Sequence, residues 1–265
     1  MGILICPVCR EKLDISGKNY ICPARHSFDI AKSGYVNLLL SKHAGKSVHG
    51  DNKLMVQARR DFLDKGFYAP LRDVLCDKIT GRVILDAGCG EGYYTCGIKN
   101  KFPEAEIYGI DISKTAVDFA VKRNKNITFA VASVFHIPVA DNSCDSLVTV
   151  FSPYCSGEFQ RVLKKDGIMF MAIPAENHLW ELKKAIYDTP YKNKVKPYEL
   201  EGFRFEGKKQ ITYELKLECP QDIQSLFSMT PYYYRTGKIQ HERLSLLERL
   251  CVTADFELLE YRRTL

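Results

Sequence analysis

Cys6, Cys9, Cys22 and His26 fall in the spacing C-x2-C-x12-C-x3-H, and no other feature leaves this chain so few ways to fold. Two thiolates on a tight knuckle, a dozen residues of return path and a second ligand pair are what a short chain needs to enclose tetrahedral zinc. Proline follows both Cys6 and Cys22, suiting the turn that brings each pair together. Between the pairs, Ser16-Gly17-Lys18-Asn19 reads as a hairpin turn and Tyr20-Ile21-Cys22 as a short strand. A segment of roughly 30 residues buries too little surface to fold alone, so the metal must supply much of its stability. Four protein ligands leave no open coordination position, which makes the site structural. The other seven of the ten cysteines are scattered singly, as small buried hydrophobes of a reducing compartment.

With 265 residues, the chain has room for an α/β domain of about 200 residues beside this appendage. Apolar residues make up 46%, enough for a real core. No apolar run approaches the ~18 residues of a membrane span and no secretory leader pattern is visible, so a cytoplasmic location is expected. Charge is unevenly placed. Residues 1–60 hold ten Lys or Arg against four acids, which accounts for the whole net charge of +6. Such a basic segment suits a polyanion, with Lys42, Lys46, Arg59 and Arg60 as candidate phosphate contacts, or is simply a solvated surface. Arg59 and Arg60 sit in a helical pattern, where a carboxylate such as Asp64 is an alternative partner.

From Arg82 onward, short apolar runs alternate with amphipathic stretches. Strands are expected at Arg82–Asp86, Glu106–Asp111, Ile127–Val131, Asp145–Phe151 and Ile168–Ile173, with Gln210–Leu217 and Ala254–Arg262 added at one edge. Helices are expected at Tyr93–Lys101, Ser113–Arg123 with Ser113 as N-cap, Glu158–Leu163, Gln221–Ser228 and His241–Leu250. This alternation predicts a doubly wound, seven-stranded, Rossmann-like α/β fold, with ligands at the carboxyl ends of the strands. The chain divides into a zinc module (1–40), a helical connector (41–80) and the α/β domain (81–265). The metal ligands are thereby expected to stand apart from the cofactor site.

The first strand runs into Asp86-Ala87-Gly88-Cys89-Gly90-Glu91-Gly92-Tyr93-Tyr94-Thr95. Glycines at 88, 90 and 92 let the backbone turn sharply and approach a ligand. The second strand ends at Asp111, where a carboxylate can accept the ribose hydroxyls of an adenosine. A glycine-rich loop alone fits nicotinamide cofactors as well. Asp86 decides against them, because it suits the ammonium of a methionine moiety and would repel a pyrophosphate; Glu91 within the loop points the same way. S-adenosylmethionine is therefore the expected cofactor, with Ser133 after the third strand edging the adenine pocket. Beyond the fourth strand, Phe151-Ser152-Pro153-Tyr154 stands where a methyl acceptor would approach, and its aromatics are either cover or a stacking platform.

A string of short motifs carries a wider resemblance. It comprises Cys6-Pro7-Val8-Cys9, the run Tyr20–Asp29, Gly34-Tyr35-Val36-Asn37-Leu38-Leu39, and Gln57-Ala58-Arg59-Arg60. It continues through Leu85–Thr95 and His178-Leu179-Trp180-Glu181-Leu182-Lys183 to Met229-Thr230-Pro231. In these the chain resembles the bacterial 23S rRNA guanine-N1 methyltransferases that modify hairpin 35. The resemblance implies zinc on Cys6, Cys9, Cys22 and His26, and cofactor contacts from the loop Gly88–Thr95, Tyr68 and His178. It also implies a homodimer whose paired modules frame a cleft for the RNA hairpin.

Methylation at guanine N1 requires loss of the N1 proton, for which His136, Glu158 or a water are candidate acceptors. Two rival functions remain at this point: a small-molecule methyltransferase with the zinc module as a lid, and a zinc-dependent RNA-binding protein whose catalytic fold is inert.

Overall fold

The computed structural model describes residues 2–41, 53–195 and 197–264. At the N-terminus, β1 (Asp14–Ser16), β2 (Asn19–Ile21) and β3 (Ser27–Asp29) form a small antiparallel sheet, and the two-residue β4 (Val36–Asn37) follows. Helices α1 (Lys53–Asp64) and α2 (Ala69–Lys78) lead into the alternating part. That part runs β5 (Val83–Ala87), α3 (Tyr93–Lys101), β6 (Glu106–Asp111), α4 (Lys114–Arg123), β7 (Thr128–Val131), β8 (Cys144–Val150), α5 (Ser156–Val162) and β9 (Leu163–Pro174). The chain ends with α6 (Trp180–Ile186), β10 (Phe203–Leu217), α7 (Pro220–Ser228), α8 (Lys238–Ser245) and β11 (Leu250–Arg263).

The seven strands expected from Arg82 onward join one sheet, in the order β10-β11-β9-β8-β5-β6-β7-β4. Pairing is parallel from β4 to β9, and β11 returns antiparallel between β9 and β10. The winding reverses at β5, which pairs with β6 on one side and β8 on the other. Strands diverge in connectivity there, so a ligand crevice opens above the carboxyl end of β5. β5 itself is Val-Ile-Leu-Asp-Ala, buried from Ile84 onward, as a central parallel strand covered on both faces must be. Helix α4 begins as expected: the Ser113 hydroxyl accepts the Ala116 N–H at 3.3 Å.

The eighth strand was not foreseen. β4 comes from the N-terminal segment and lies parallel to β7, Val36 opposite Ala130. It belongs to a larger attachment in which the Ile5 N–H donates to Pro138 O at 3.0 Å and the Ala140 N–H to Ile3 O at 2.9 Å. Ile84 packs with Phe62, Leu71, Val117 and Phe227 on one face of the sheet. Leu85 packs on the other with Phe159 and Val162 of α5 and with Leu4, Leu13, Val36 and Leu38. The metal module therefore covers sheet surface that a crossover helix would otherwise cover. Module and α/β domain thus share this core.

Among the differences from expectation are one helix end and one unforeseen helix. Helix α8 stops at Ser245 because β11 begins at Leu250 and pairs with β10 along its whole length. The short α6, missed in the sequence, is entered through Leu179 in a left-handed conformation (φ 57°).

Leu4 is 3% exposed and tied to Val139 across the junction. Leu4→Ala should cost about 2–5 kcal/mol of stability, measured by denaturant unfolding of the zinc-loaded protein. A loss below ~0.5 kcal/mol, usual for a surface change, would mean that the module does not share the core.

Candidate active site and metal centre

Cys6, Cys9, Cys22 and His26 converge so closely that their ligand atoms all lie within 4.8 Å of one another. Cys9 Sγ is 3.6 Å from Cys22 Sγ, and His26 Nδ1 lies 3.5 Å from Cys6 Sγ and 3.4 Å from Cys22 Sγ. Sulfurs bound to one tetrahedral zinc stand about 3.8 Å apart, so the set fits such an ion. Backbone geometry serves the same end: the Val8 N–H points at Cys6 Sγ, and Arg10 and Arg25 turn the two knuckles with φ of 65° each.

At the switch point, the glycine loop is fixed from below and open above. The N–H groups of Gly88 and Cys89 both donate to Ile110 O, at 2.8 and 2.9 Å. Gly88 has φ 88°, and a Cβ there would come within 2.1 Å of Ser152 Oγ, so the loop leans on the segment after β8. Gly90 has φ 55°, and a Cβ there would meet nothing nearer than Arg59 Nη1 at 3.9 Å. Its backbone thus faces space that a ligand can fill.

Two carboxylates flank this loop. Asp111 accepts the Gly90 N–H at 2.9 Å on Oδ2 and the Ser113 N–H at 2.8 Å on Oδ1. Asp86 is 1% exposed, and its Oδ2 accepts the Thr95 hydroxyl at 2.5 Å. Burial pushes the Asp86 carboxyl up to about 7, against the pull of Thr95 and with help from nearby Asp111. Glu91 does not serve as an acid toward the ligand. Its buried carboxylate is bound by Arg123, which also reaches Asp64 at 2.6 Å. Ser133 follows β7, where the Ala132 N–H donates to Asp111 O, and its hydroxyl accepts the Phe135 N–H at 3.2 Å.

Tyr68 and His178, far apart in sequence, meet with Oη and Nε2 3.5 Å apart. His178 Nδ1 accepts the Asp255 N–H at 3.2 Å, so the ring proton sits on Nε2 and faces Tyr68. Burial holds this imidazole down at about 3, and the ring is neutral. Phe151 joins them from the end of β8, stacked on His178 at 6.4 Å and edge-on to Tyr68 at 6.3 Å. It is an exposed aromatic with φ 54°, a conformation that phenylalanine rarely adopts. Tyr94 Oη is buried and meets no hydrogen-bond partner among the described residues. A buried hydroxyl in that state is accounted for by a ligand or water, and with the open face of Gly90 it fits a bound cofactor.

Between module and sheet lies a cavity of about 200 Å³, with Cys6, Pro7 and Val8 on one wall and Ser133, His136 and Glu158 on the other. Glu158 is spoken for: its oxygens take Arg161 Nε at 2.7 Å, Arg161 Nη2 at 2.9 Å and the Ile137 N–H at 2.6 Å. Burial raises its proton affinity, but Arg161 and Ile137 outweigh that and keep it ionised. Lys42 and Lys46 lie outside the described residues.

Comparison with known proteins adds a family to this geometry. Residues 80–230 match the family described as methyltransferase domain, and residues 4–44 the family described as RlmA, N-terminal, a zinc ribbon. The YxjB protein of Bacillus subtilis strain 168, provisionally named as a 23S rRNA (guanine-N(1)-)-methyltransferase, is 32% identical over 274 residues. The alignment covers 96% of this chain and 95% of that protein. The 23S rRNA (guanine(748)-N(1))-methyltransferase of Streptomyces fradiae is 32% identical over 69% of this chain and 67% of its own. The chain belongs to the 23S rRNA (guanine-N1)-methyltransferase family.

Among solved structures, the fold of this family member is shared by a chain from the complex of the Haloferax volcanii Trm112 methyltransferase activator with a methyltransferase. There the TM-score is 0.52 at 17% identity, covering 83% of this chain and 100% of that one. The YcgJ protein of Bacillus subtilis gives 0.51 at 15%, covering 73% and 98%. Sequence reasoning missed what the methyltransferase brings to this site from a distance: Ser152 under Gly88, Asp255 behind His178 and Arg59 over Gly90. The segment Phe151–Tyr154 was expected at the acceptor side, and the positive φ at Phe151 is what the fold adds to it.

Asp86 gives a pH test. Its carboxyl keeps the proton to about pH 7 in the folded chain against 3.8 unfolded. Its contribution to stability is therefore full below the unfolded value and is lost as pH rises through about 7. Ligand-free Asp86→Asn should melt higher than wild type at pH 8, by about 2–4 °C per kcal/mol, and the gap should close toward pH 4. Parallel melting curves of the two proteins from pH 4 to 8 would contradict the burial of an ionisable acid.

Proposed function

We propose that this protein transfers a methyl group from S-adenosylmethionine to N1 of a guanine in a hairpin loop of 23S rRNA. It would act in the cytoplasm as a homodimer whose N-terminal modules frame the RNA cleft. The observation that carries this reading is the cavity in which the Cys6–Val8 knuckle faces Ser133, His136 and Glu158, setting the zinc module against the loop that follows β7. The names borne by the relatives support the same substrate. Among the described residues no helix is long and apolar enough to cross a membrane, which is compatible with work on rRNA.

When bound, S-adenosylmethionine supplies an electrophilic methyl group on a cationic sulfur. The residues here bind, orient and keep out water. In this reading Asp111 takes the ribose hydroxyls, and Asp86, held by Thr95, faces the ammonium. Gly90 admits the methionine arm to the backbone, whereas Gly88 and Gly92, expected to do the same, instead let the loop pack against Ser152 and Ala120; Ser133 borders the adenine. Tyr68, Tyr94 and His178 line the arm's far side, where a neutral imidazole adds no charge to repel the sulfonium. Cys6, Cys9, Cys22 and His26 hold a structural zinc. The exposed rings of Phe151 and Tyr154 offer a stacking surface to an unpaired guanine. With Glu158 committed to Arg161, the N1 proton leaves to exposed His136 or to water.

The test is methylation of 23S rRNA, and of its hairpin fragments, by the purified zinc-loaded protein with S-adenosylmethionine, read by primer extension. A methyl on the Watson–Crick face of guanine stops the polymerase, so one cofactor-dependent stop is expected at a loop guanine. Asp111→Ala should weaken cofactor binding by about 1.5–3 kcal/mol. Normal cofactor binding with no RNA product would favour a small-molecule acceptor. RNA binding without cofactor binding would favour the inert reading.

A further inference from the structure

The two arginines of α1 part company in the structure. Arg60 contacts Asp64 at 3.4 Å and lies over the Phe119 ring at 5.3 Å, so it is largely accounted for within the protein. Arg59 turns the other way. Its Nη1 is the atom nearest to the open face of Gly90, and its charge is felt by the Tyr68 hydroxyl and by Glu91. The guanidinium thus stands over the glycine loop, near enough to Tyr68 and Glu91 for both to feel its charge. Other contacts within the chain occupy part of it, and five donors leave capacity for a ligand as well.

The charge pattern of the crevice identifies that ligand group. A methionine moiety ends in an ammonium and a carboxylate. Asp86 and Asp111 are both acids and supply no positive charge to an anion. An anion entering beside Gly90 needs a positive partner, and Arg123, the other arginine at this loop, is engaged with Glu91 and Asp64. Arg59 stands at the required place, and the start of the nine-residue α3 adds a partial positive charge of its own.

We infer that Arg59 binds the carboxylate of the methionine moiety of S-adenosylmethionine, and that it is a cofactor residue and not a phosphate contact for RNA. A guanidinium fork matches a carboxylate with two parallel hydrogen bonds. The inference rests on the cofactor reading above.

Calorimetry on the full-length zinc-loaded protein separates the two. The ligands are S-adenosylmethionine and decarboxylated S-adenosylmethionine, which keeps the adenosine, sulfonium and ammonium and lacks only the carboxylate. Arg59→Gln should weaken S-adenosylmethionine on the order of 10- to 100-fold and leave the decarboxylated compound within about twofold. Arg59→Lys, which keeps the charge without the fork, should lose less, and it serves if the glutamine variant does not fold. Equal weakening of both ligands would make Arg59 a packing residue, and unchanged affinity for both would remove it from the site; either result overturns the inference alone. A wild-type chain that binds neither compound overturns the cofactor reading and the inference with it.

Discussion

The attachment of the metal knuckle to the rest of the sheet is the constraint on which this architecture depends. Four side chains gathered within 4.8 Å hold a segment that has almost no core of its own. That segment then lays Leu4, Leu13, Val36 and Leu38 on the face of β5, β6 and β7. Metal binding is worth many kcal/mol to a short module, and here the stabilisation spreads into the sheet through β4 and the Ile3–Ile5 contacts with Pro138–Ala140. The loop from Ser133 to Ala140, which walls one side of the cavity beneath the knuckle, is thus held from β7 behind and from the metal module above.

Electrostatics at the crevice follows a simple division. Acids near the glycine loop are either buried with a raised proton affinity, as Asp86 is, or engaged with backbone N–H groups, as Asp111 is. Those with no ligand to face are neutralised by arginine: Glu91 by Arg123 and Glu158 by Arg161. What remains is a pocket with two carboxylates for cationic and hydroxyl groups, a neutral histidine–tyrosine pair, and one arginine leaning on Gly90. Such an arrangement matches a zwitterionic amino-acid arm joined to a ribose better than it matches a pyrophosphate.

Local features were legible in the sequence because their physics is local. The metal spacing, the Ser113 cap, the glycine loop and the seven long strands each declare themselves within a dozen residues. β4 did not, since two residues have no periodicity and Val36 is a strand only because Ala130 lies beside it. The seven-residue α6 is too short to show a helical pattern. Glu91 was misread for the same reason: nothing nearby reveals that Arg123 will cover it. Tyr68 and His178 came from family resemblance, and the hydrogen bond from the Asp255 N–H that fixes the histidine tautomer was visible only in the fold. The helical spacing around Asp64 did offer a partner for an arginine, and the structure gives it to Arg60 and Arg123.

The metal module and the α/β domain share one hydrophobic core, so loss of the metal should be felt in the sheet. Hydrogen exchange of the zinc-loaded and chelator-stripped protein, followed residue by residue, tests it most directly. If the account is right, removing the metal speeds exchange in Thr128–Val131 and Ser133–Ala140 as well as in residues 4–30, while β8 and β9 stay protected. Loss of protection confined to the first 40 residues, with the cavity wall unchanged, would contradict it.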